Sequence, residues 1–161
     1  MKGAAKGQGQ RTGFMALALA EARAAAGRGE VPVGAVVVRA DAVVASAGNR
    51  IREWRDPTAH AELLAVRAAS AVLGSERLTD CDLWATLEPC PMCAGAISFA
   101  RIRRLYFGAS DPKGGAVVSG VRLFDQPTCH HAPEVYGGFA ETEAADLLRD
   151  FFRERRPDAM S

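Results

Sequence analysis

The chain has 161 residues, a formal net charge of +1 and a hydrophobic fraction of 48%. This length and composition predict one globular domain that buries a core without disulfide cross-links. The near-neutral charge excludes a broad basic surface, so any contact with nucleic acid has to be local. No stretch approaches the roughly 20 apolar residues of a transmembrane helix, which predicts a protein that does not enter a membrane.

The first part of the chain is predicted to hold a tail, a helix and a β-hairpin. Residues 1–11 are rich in Gly, Gln and Lys, which is typical of a flexible tail. Residues 12–28 follow helical spacing and are followed by a glycine. Residues 33–38 and 42–48 have the composition of strands, and the short turn between them predicts a hairpin.

A second helix is predicted to begin just before a histidine. Asp56 suits an N-cap and Pro57 suits a first helical position, so a helix is expected over residues 57–73. His60 and Glu62 then lie in this helix, two positions apart. Side chains at that separation diverge on an ideal helix. The spacing alone therefore does not bring both residues to one site.

A pair of cysteines follows a strand predicted over residues 81–87. Pro91 suits a first helical position, so Cys90 is expected to be the N-cap of a helix that runs to about residue 100. Cys93 lies one turn further on. The helix macrodipole at this end lowers the pKa of thiols and favours the thiolates that bind metals. The spacing indicates that Cys90 and Cys93 are metal ligands.

One histidine and two cysteines form a set of ligands that zinc prefers. Three protein ligands leave the fourth tetrahedral position to water, which is typical of a catalytic zinc site. Zinc lowers the pKa of the bound water to roughly 7, and a nearby carboxylate can take its proton. The sequence therefore predicts a zinc site at His60, Cys90 and Cys93, with Glu62 free for proton transfer.

The other two cysteines, Cys81 and Cys129, are predicted to be free thiols. Free thiols indicate a reducing compartment, and hence a cytoplasmic protein. His130 and His131 adjoin Cys129 and offer an alternative metal cluster. This cluster lacks a fourth partner, so ordinary contacts within a loop are expected there.

The second half of the chain alternates between strand and helix. A strand is predicted over residues 102–108, a loop over 111–115 and a final helix over 141–155. Residues 116–141 give weak signals and are expected to form loops with a short irregular helix. Strands that alternate with helices predict a layered α/β domain, with three or more helices on a sheet of about five strands.

The final helix contains two adjacent aromatic residues, Phe151 and Phe152. Adjacent residues cannot share one helix face, so one is predicted to be core and Phe152 to be exposed. An exposed aromatic ring can stack on the bases of single-stranded RNA. Two groups of arginines are expected on solvated faces: Arg101, Arg103 and Arg104, and Arg149, Arg153, Arg155 and Arg156.

Three stretches carry a family resemblance. They are Val31-Pro32-Val33-Gly34-Ala35, Asp56-Pro57-Thr58-Ala59-His60-Ala61-Glu62 and the segment from Thr86 to Ala96. With them the chain closely resembles the bacterial tRNA-specific adenosine deaminases, which belong to the cytidine deaminase-like zinc superfamily. The resemblance covers nearly everything after residue 12. It implies a three-layer α/β fold with a central mixed sheet, and one zinc-dependent deaminase domain over residues 12–161.

The resemblance also implies a role for particular residues. It makes His60, Cys90 and Cys93 the ligands of one zinc ion and Glu62 the proton shuttle. It implies five substrate contacts: Asn49, Val33, Ala61, Asp111 and Phe152. Asn49 would contact the flipped nucleoside, whereas Asp111 and the end of the last helix would meet flanking nucleotides of the anticodon loop.

The implied reaction is hydrolytic deamination of adenosine to inosine at the wobble position of a tRNA, with the arginine tRNA of anticodon ACG as the expected substrate. In the family pattern a zinc-bound hydroxide attacks C6, and Glu62 protonates N1 and then the departing amine. Members of this family are homodimers, so a homodimer is expected. Ser110 stands where some members carry Arg.

Two other functions are compatible with the same motifs. A deaminase of free nucleobases or nucleosides, such as guanine or cytosine, would share every zinc residue, but the basic, aromatic final helix argues against it. A non-catalytic binding module could keep zinc only to stabilise its fold. Glu62 argues against that function, because a structural site needs no free acid and normally has a fourth protein ligand.

Overall fold

The computed structural model describes residues 3–155, and near the N-terminus it describes the side chains of residues 9, 11 and 13 onwards. These residues form a five-stranded sheet of order β2-β1-β3-β4-β5 with four α-helices. The helices are α1 (Gly3–Gly27), α2 (Ala61–Leu73), α3 (Pro91–Ala100) and α4 (Glu141–Arg155). The strands are β1 (Gly34–Arg39), β2 (Ala42–Gly48), β3 (Cys81–Leu87), β4 (Arg104–Ala109) and β5 (Glu134–Tyr136).

Helices cover both faces of the sheet. On one face α2 and α3 pack over the buried side chains of Val37 and Leu83. On the other face α1 and α4 pack over Val36 and Trp84. Neighbouring residues of a strand thus enter opposite cores, as the twofold alternation of a strand requires. This arrangement confirms the predicted three-layer α/β fold.

The sheet is mixed, as expected. β1 is antiparallel to both β2 and β3, whereas β3, β4 and β5 run parallel to one another. The predicted β1–β2 hairpin is confirmed, and Ala40 and Asp41 in its turn both have positive φ, as a type I′ turn requires. Because β3 and β4 are parallel neighbours, the segments that follow them lie at the same edge of the sheet.

Helix α1 is longer than the sequence predicted. It begins at Gly3 rather than at residue 12, so the segment expected to be a tail is helical from Gly3 onwards. Residues 1 and 2 lie outside the described part of the chain, and the flexibility expected for residues 1–11 stays a prediction. The helix packs so closely on β1 that a Cβ on Gly34 would overlap the carbonyl oxygen of Ala18.

The segment 116–141 differs most from the prediction. A short 3-10 helix is present at Leu123–Asp125, as expected for an irregular helix, but β5 was missed. β5 has three residues and pairs only with β4, where Glu134 lies opposite Arg104. So short an edge strand depends on a distant partner and has almost no periodicity of its own.

The final helix matches its predicted bounds of 141–155. Phe151 is buried and Phe152 is 49% exposed, which confirms the predicted division between the two rings. Arg156 of the second arginine group lies outside the described residues. Within residues 3–155, no helix has both the length and the hydropathy of a membrane span.

Candidate active site

Helix α2 starts later than the sequence predicted. It begins at Ala61, and His60 rather than Asp56 is its N-cap residue. Asp56 instead closes a tight turn, in which its Oδ1 accepts hydrogen bonds from the Thr58 N–H at 2.8 Å and the Thr58 hydroxyl at 2.7 Å. An Asp-Pro-Thr sequence suits such a turn as well as a helix start. The predicted helical start at Pro57 is therefore wrong.

The late start of α2 changes how His60 and Glu62 are related. His60 has extended backbone angles, φ −78° and ψ 146°, whereas Glu62 lies in the first helical turn. The divergence expected of two side chains on one ideal helix therefore does not apply. Because His60 lies just outside the helix and Glu62 lies inside it, both side chains can reach the same site.

Asn49 holds the start of α2 from outside the helix. Its Oδ1 accepts a hydrogen bond from the Ala61 N–H at 2.8 Å, and its Nδ2 donates to the Val31 carbonyl at 3.1 Å. The Ala61 N–H belongs to the first turn, whose donors have no partner within the helix. Asn49 therefore does the work of a capping side chain. The side chain of His60 makes no capping bond, so its imidazole can face another partner.

The two cysteines lie at the start of α3, as predicted. Cys90 is the N-cap residue, Pro91 follows it in the first turn, and Cys93 is buried one turn on. The Cys90 Sγ lies 3.6 Å from the His60 Nδ1, and the ligand atoms of His60, Cys90 and Cys93 are all within 4.8 Å of one another. The starts of α2 and α3 thus face each other across three atoms that could hold a metal ion.

The charges of these groups depend on their burial and on one another. Burial raises the pKa of Glu62 to about 6. A hydrogen bond from the Cys93 thiol lowers the pKa of Cys90 to about 4, and His60 adds to this effect. The same bond raises the pKa of Cys93. Without a metal ion one thiol therefore keeps its proton, whereas a metal ion would bind both as thiolates.

Two of the other predicted substrate residues offer little surface. Val33 is 5% exposed and Ala61 is fully buried, and both belong to the core beneath α2 and α3. Asp111 is partly exposed in the loop after β4, where its Oδ1 accepts hydrogen bonds from the N–H groups of Lys113 and Gly114. Asn49 is 5% exposed, and its amide is taken up by the hydrogen bonds to Ala61 and Val31.

Phe152 is separated from the cluster at His60. It lies on α4, which packs with α1 on the sheet face opposite α2 and α3. Phe151 anchors this end of the helix, and the Arg155 guanidinium lies 3.7 Å from the centre of the Phe151 ring. A substrate that touched both Phe152 and the cluster would have to extend around the edge of the sheet.

Glu88 is a buried residue whose importance the sequence analysis missed. It is 2% exposed, and its carboxylate accepts hydrogen bonds from the loop after β4. Burial by itself would raise the pKa of Glu88, but these N–H donors outweigh it and lower the pKa. The one sequence signal was an acidic residue at the end of an apolar strand, directly before Pro89 and Cys90.

The second group of metal-type ligands makes ordinary loop contacts, as expected. The Cys129 Sγ lies 3.4 Å from the Ser98 Oγ, which donates to the His131 carbonyl at 2.7 Å. The His131 Nε2 lies 2.7 Å from the Ile102 carbonyl oxygen. Among the described residues, only His60, Cys90 and Cys93 bring their ligand atoms together as a metal site requires.

Known proteins share both this sequence and this fold. The family model of the MafB19-like deaminases matches residues 10–156. A tRNA-specific adenosine deaminase of Agrobacterium fabrum is 65% identical over 149 residues, which cover 92% of this chain and 98% of that protein. A relative of the same name from Aquifex aeolicus is 42% identical, over 89% of this chain and 94% of its own.

Solved structures give the same result. The structure of a tRNA:A34 deaminase, from work on A-to-I editing at the wobble position, superposes with a TM-score of 0.84 and 65% identity, over 85% of this chain and 99% of that chain. A guanine deaminase of Nitrosomonas europaea has a TM-score of 0.73 and 26% identity, over 87% and 83% of the two chains. The chain belongs to the MafB19-like deaminases and, among them, to the family of the tRNA-specific adenosine deaminases.

Proposed function

We propose that this chain converts adenosine to inosine at the wobble position of tRNA by hydrolytic deamination. One observation carries the proposal: the cluster of His60, Cys90 and Cys93, with Glu62 beside it, occurs in a chain that is 65% identical to a tRNA-specific adenosine deaminase. The cluster supplies the chemistry. The identity, which extends over nearly the whole of both chains, supplies the substrate.

We propose zinc as the metal at this site. In tetrahedral zinc, a nitrogen at about 2.0 Å and a sulfur at about 2.3 Å from the ion lie about 3.5 Å apart. The His60 Nδ1 and Cys90 Sγ are 3.6 Å apart, close to this separation. Among the described residues no fourth protein ligand joins the cluster, which leaves a position for water. Bound zinc would supply a water whose pKa is near 7.

Glu62 is the proposed proton shuttle. It is 4% exposed and lies in the first turn of α2, two positions after His60. In the reaction, oxygen from water adds to C6 of adenine and the bond from C6 to the amino nitrogen breaks. Glu62 takes the first proton that the water loses and gives it to N1. It then takes the remaining proton from the hydroxyl on C6, which becomes the carbonyl, and gives that proton to the amine, which leaves as ammonia.

The proposed substrate is the arginine tRNA with anticodon ACG. A base in a single-stranded loop can be turned into a pocket without breaking a duplex, which suits a buried site. We place Asn49, Val33 and Ala61 around the reacting nucleoside, and Asp111 and Phe152 against its neighbours in the anticodon loop. The exposed face of Phe152 supports this placement, because an aromatic ring at that position can stack on a base.

A free-base deaminase is the second candidate function. The likeness to a guanine deaminase with a TM-score of 0.73 favours it, because that fold holds the same kind of chemistry. Its identity of 26% is far below the 65% shared with the tRNA-specific enzyme. A binding module that keeps its metal only for stability is less compatible, since it would have no use for a buried, unligated Glu62.

We propose that the active form is a homodimer with a cytoplasmic location. The outer face of α3 supports the dimer: Phe99 is 69% exposed beside a groove of about 230 Å³. Apolar side chains so open to solvent are typical of surfaces that bind a partner, and a second copy of the chain can cover them.

The proposed cytoplasmic location is supported by the proposed tRNA substrate and by the free thiols of Cys81 and Cys129. Recovery of the activity in a membrane fraction would contradict this location.

The substrate can be tested by direct turnover. We expect the zinc-loaded protein to form inosine in an anticodon stem-loop of sequence ACG. The same stem-loop with the A moved one position along the loop is the control and should not react. Free adenosine, guanine and cytosine, tested for ammonia release, should also be left unchanged. Turnover of guanine with no reaction of the stem-loop would establish the free-base function instead.

The role of Glu62 can be separated from metal binding by substitution. Glu62→Gln keeps the shape of the side chain but cannot accept the proton, so we expect inosine formation to fall by about 10³-fold or more with one zinc still bound per chain. Cys90→Ala should lose zinc as well as activity, because a ligand is missing. Zinc per chain is measured by elemental analysis on the same samples as the assay. Zinc loss from Glu62→Gln would show that Glu62 is itself a ligand.

The dimer can be tested by sedimentation equilibrium. We expect the wild-type protein to sediment as a dimer and Phe99→Glu to sediment as a monomer, because a charge would enter the proposed contact. Leu17→Glu is the matched control, since Leu17 is 47% exposed on α1, on the other face of the sheet. A wild-type monomer, or a Phe99→Glu variant that remains dimeric, would rule out this contact.

A further inference from the structure

We propose that Glu88 is a positioning residue, which fixes the loop of residues 111–119 beside the metal ligands so that Asp111 meets the RNA in one geometry. The inference rests on the proposed function, because it takes that loop to contact nucleotides next to the reacting base. Glu88 itself neither contacts the substrate nor transfers a proton. Its role is to set the affinity for RNA through the loop that it holds.

The carboxylate of Glu88 accepts hydrogen bonds from both ends of this loop. Its Oε1 accepts hydrogen bonds from the Asp111 N–H and the Ser119 hydroxyl, both at 2.9 Å. Its Oε2 accepts from the N–H groups of Val117 and Val118 at 3.0 Å and of Ser119 at 2.9 Å. One side chain thus replaces the strand or helix that would otherwise have paired these backbone groups.

The loop is in turn the partner of the carboxylate. Glu88 is 2% exposed, and no arginine, lysine or histidine of the described residues forms an ion pair with it. A buried charge without a counter-ion is costly unless several hydrogen bonds stabilise it. Converging N–H donors serve as that counter-charge. Removing the carboxylate would leave these buried and part-buried donors without partners, so the loop and the carboxylate stabilise each other.

Gly115 gives a second, independent sign that the loop is fitted to Glu88. A Cβ at Gly115 would lie 2.5 Å from the Glu88 Oε2, well inside van der Waals contact. The φ angle of Gly115 is not in the left-handed region, so its backbone can be adopted by other residues. A Cβ would also lie 2.6 Å from the Asp111 carbonyl oxygen, so space for the carboxylate and for the loop's own backbone, rather than a left-handed φ, requires glycine here.

The same contacts join the loop to the metal-binding turn. Glu88 lies two residues before Cys90, and its own N–H donates to the Ala109 carbonyl at the end of β4 at 2.8 Å. The Ala116 N–H donates to the Pro89 carbonyl at 2.9 Å. The loop that carries Asp111 is thus tied to the turn that carries Cys90, and its position relative to the metal is fixed.

The test uses two variants that disturb this contact from opposite sides. Glu88→Gln places an NH₂ group against N–H donors, and Gly115→Ala places a methyl group where the carboxylate lies. Leu105→Ala is the control for lost stability, because Leu105 is fully buried in β4 and away from the loop. Gly13→Ala is the control for an added methyl group, since nothing lies within 4 Å of the new atom.

Three quantities are measured on the zinc-loaded proteins: zinc content, kcat and KM for the ACG stem-loop, and hydrogen exchange of the Asp111, Val117, Val118 and Ser119 amides. We expect both loop variants to raise KM at least tenfold, with kcat changed less than threefold and zinc unchanged. The four amides should exchange at least tenfold faster. Neither control should move KM more than twofold, although Leu105→Ala should lower the melting temperature.

The alternatives give different results. If kcat and zinc content fall while KM is unchanged, Glu88 supports the metal-binding turn and the proposal is wrong. If neither exchange nor KM changes, the loop does not depend on Glu88. If Glu88→Gln fails to fold, Gly115→Ala still tests the contact, because it leaves the carboxylate in place and displaces the loop from it. If the wild-type protein leaves the stem-loop unreacted, the proposed function fails and the RNA part of this inference fails with it, whereas the exchange rates still report on the contact.

Discussion

The hydrogen bond from the Ala61 N–H to the Asn49 side chain determines how the candidate site is assembled. It lets α2 begin at Ala61, with His60 extended just outside the helix and Glu62 in the first turn. Had the helix begun at Pro57, two side chains at that spacing would diverge. The buried Asn49 amide therefore allows a proposed ligand and a proposed acid, two positions apart in the chain, to face one candidate metal site.

The site combines two helix starts with two buried carboxylates besides Glu62, and these two hold neighbouring loops. The first turns of α2 and α3 bring His60 and Cys90 within 3.6 Å, at ends where the macrodipoles favour negative charge. Glu88 holds the loop after β4. Glu30, which is 1% exposed, holds the loop after Asn49 by accepting hydrogen bonds from the N–H groups of Arg52 and Glu53. Loops on both sides of the site are thus held by carboxylates rather than by regular structure.

Much of this arrangement could be predicted from local signals. The motif around Cys90 and Cys93, the hairpin and the bounds of α4 follow from short-range spacing and were found. The start of α2 was misplaced, because Asp56 suits a capped helix and a tight turn equally, and a contact with Asn49 twelve positions away decides between them. β5 was missed for the same reason: its three residues are ordered by β4.

The proposed metal site has three protein ligands and one position left for water. Zinc K-edge X-ray absorption of the zinc-loaded protein reports these ligands. We expect one zinc per chain, with two sulfurs at about 2.3 Å, one imidazole nitrogen at about 2.0 Å and one oxygen from water. A third sulfur or a second imidazole in place of that oxygen would mean a closed, structural site and would rule out the proposed catalytic role.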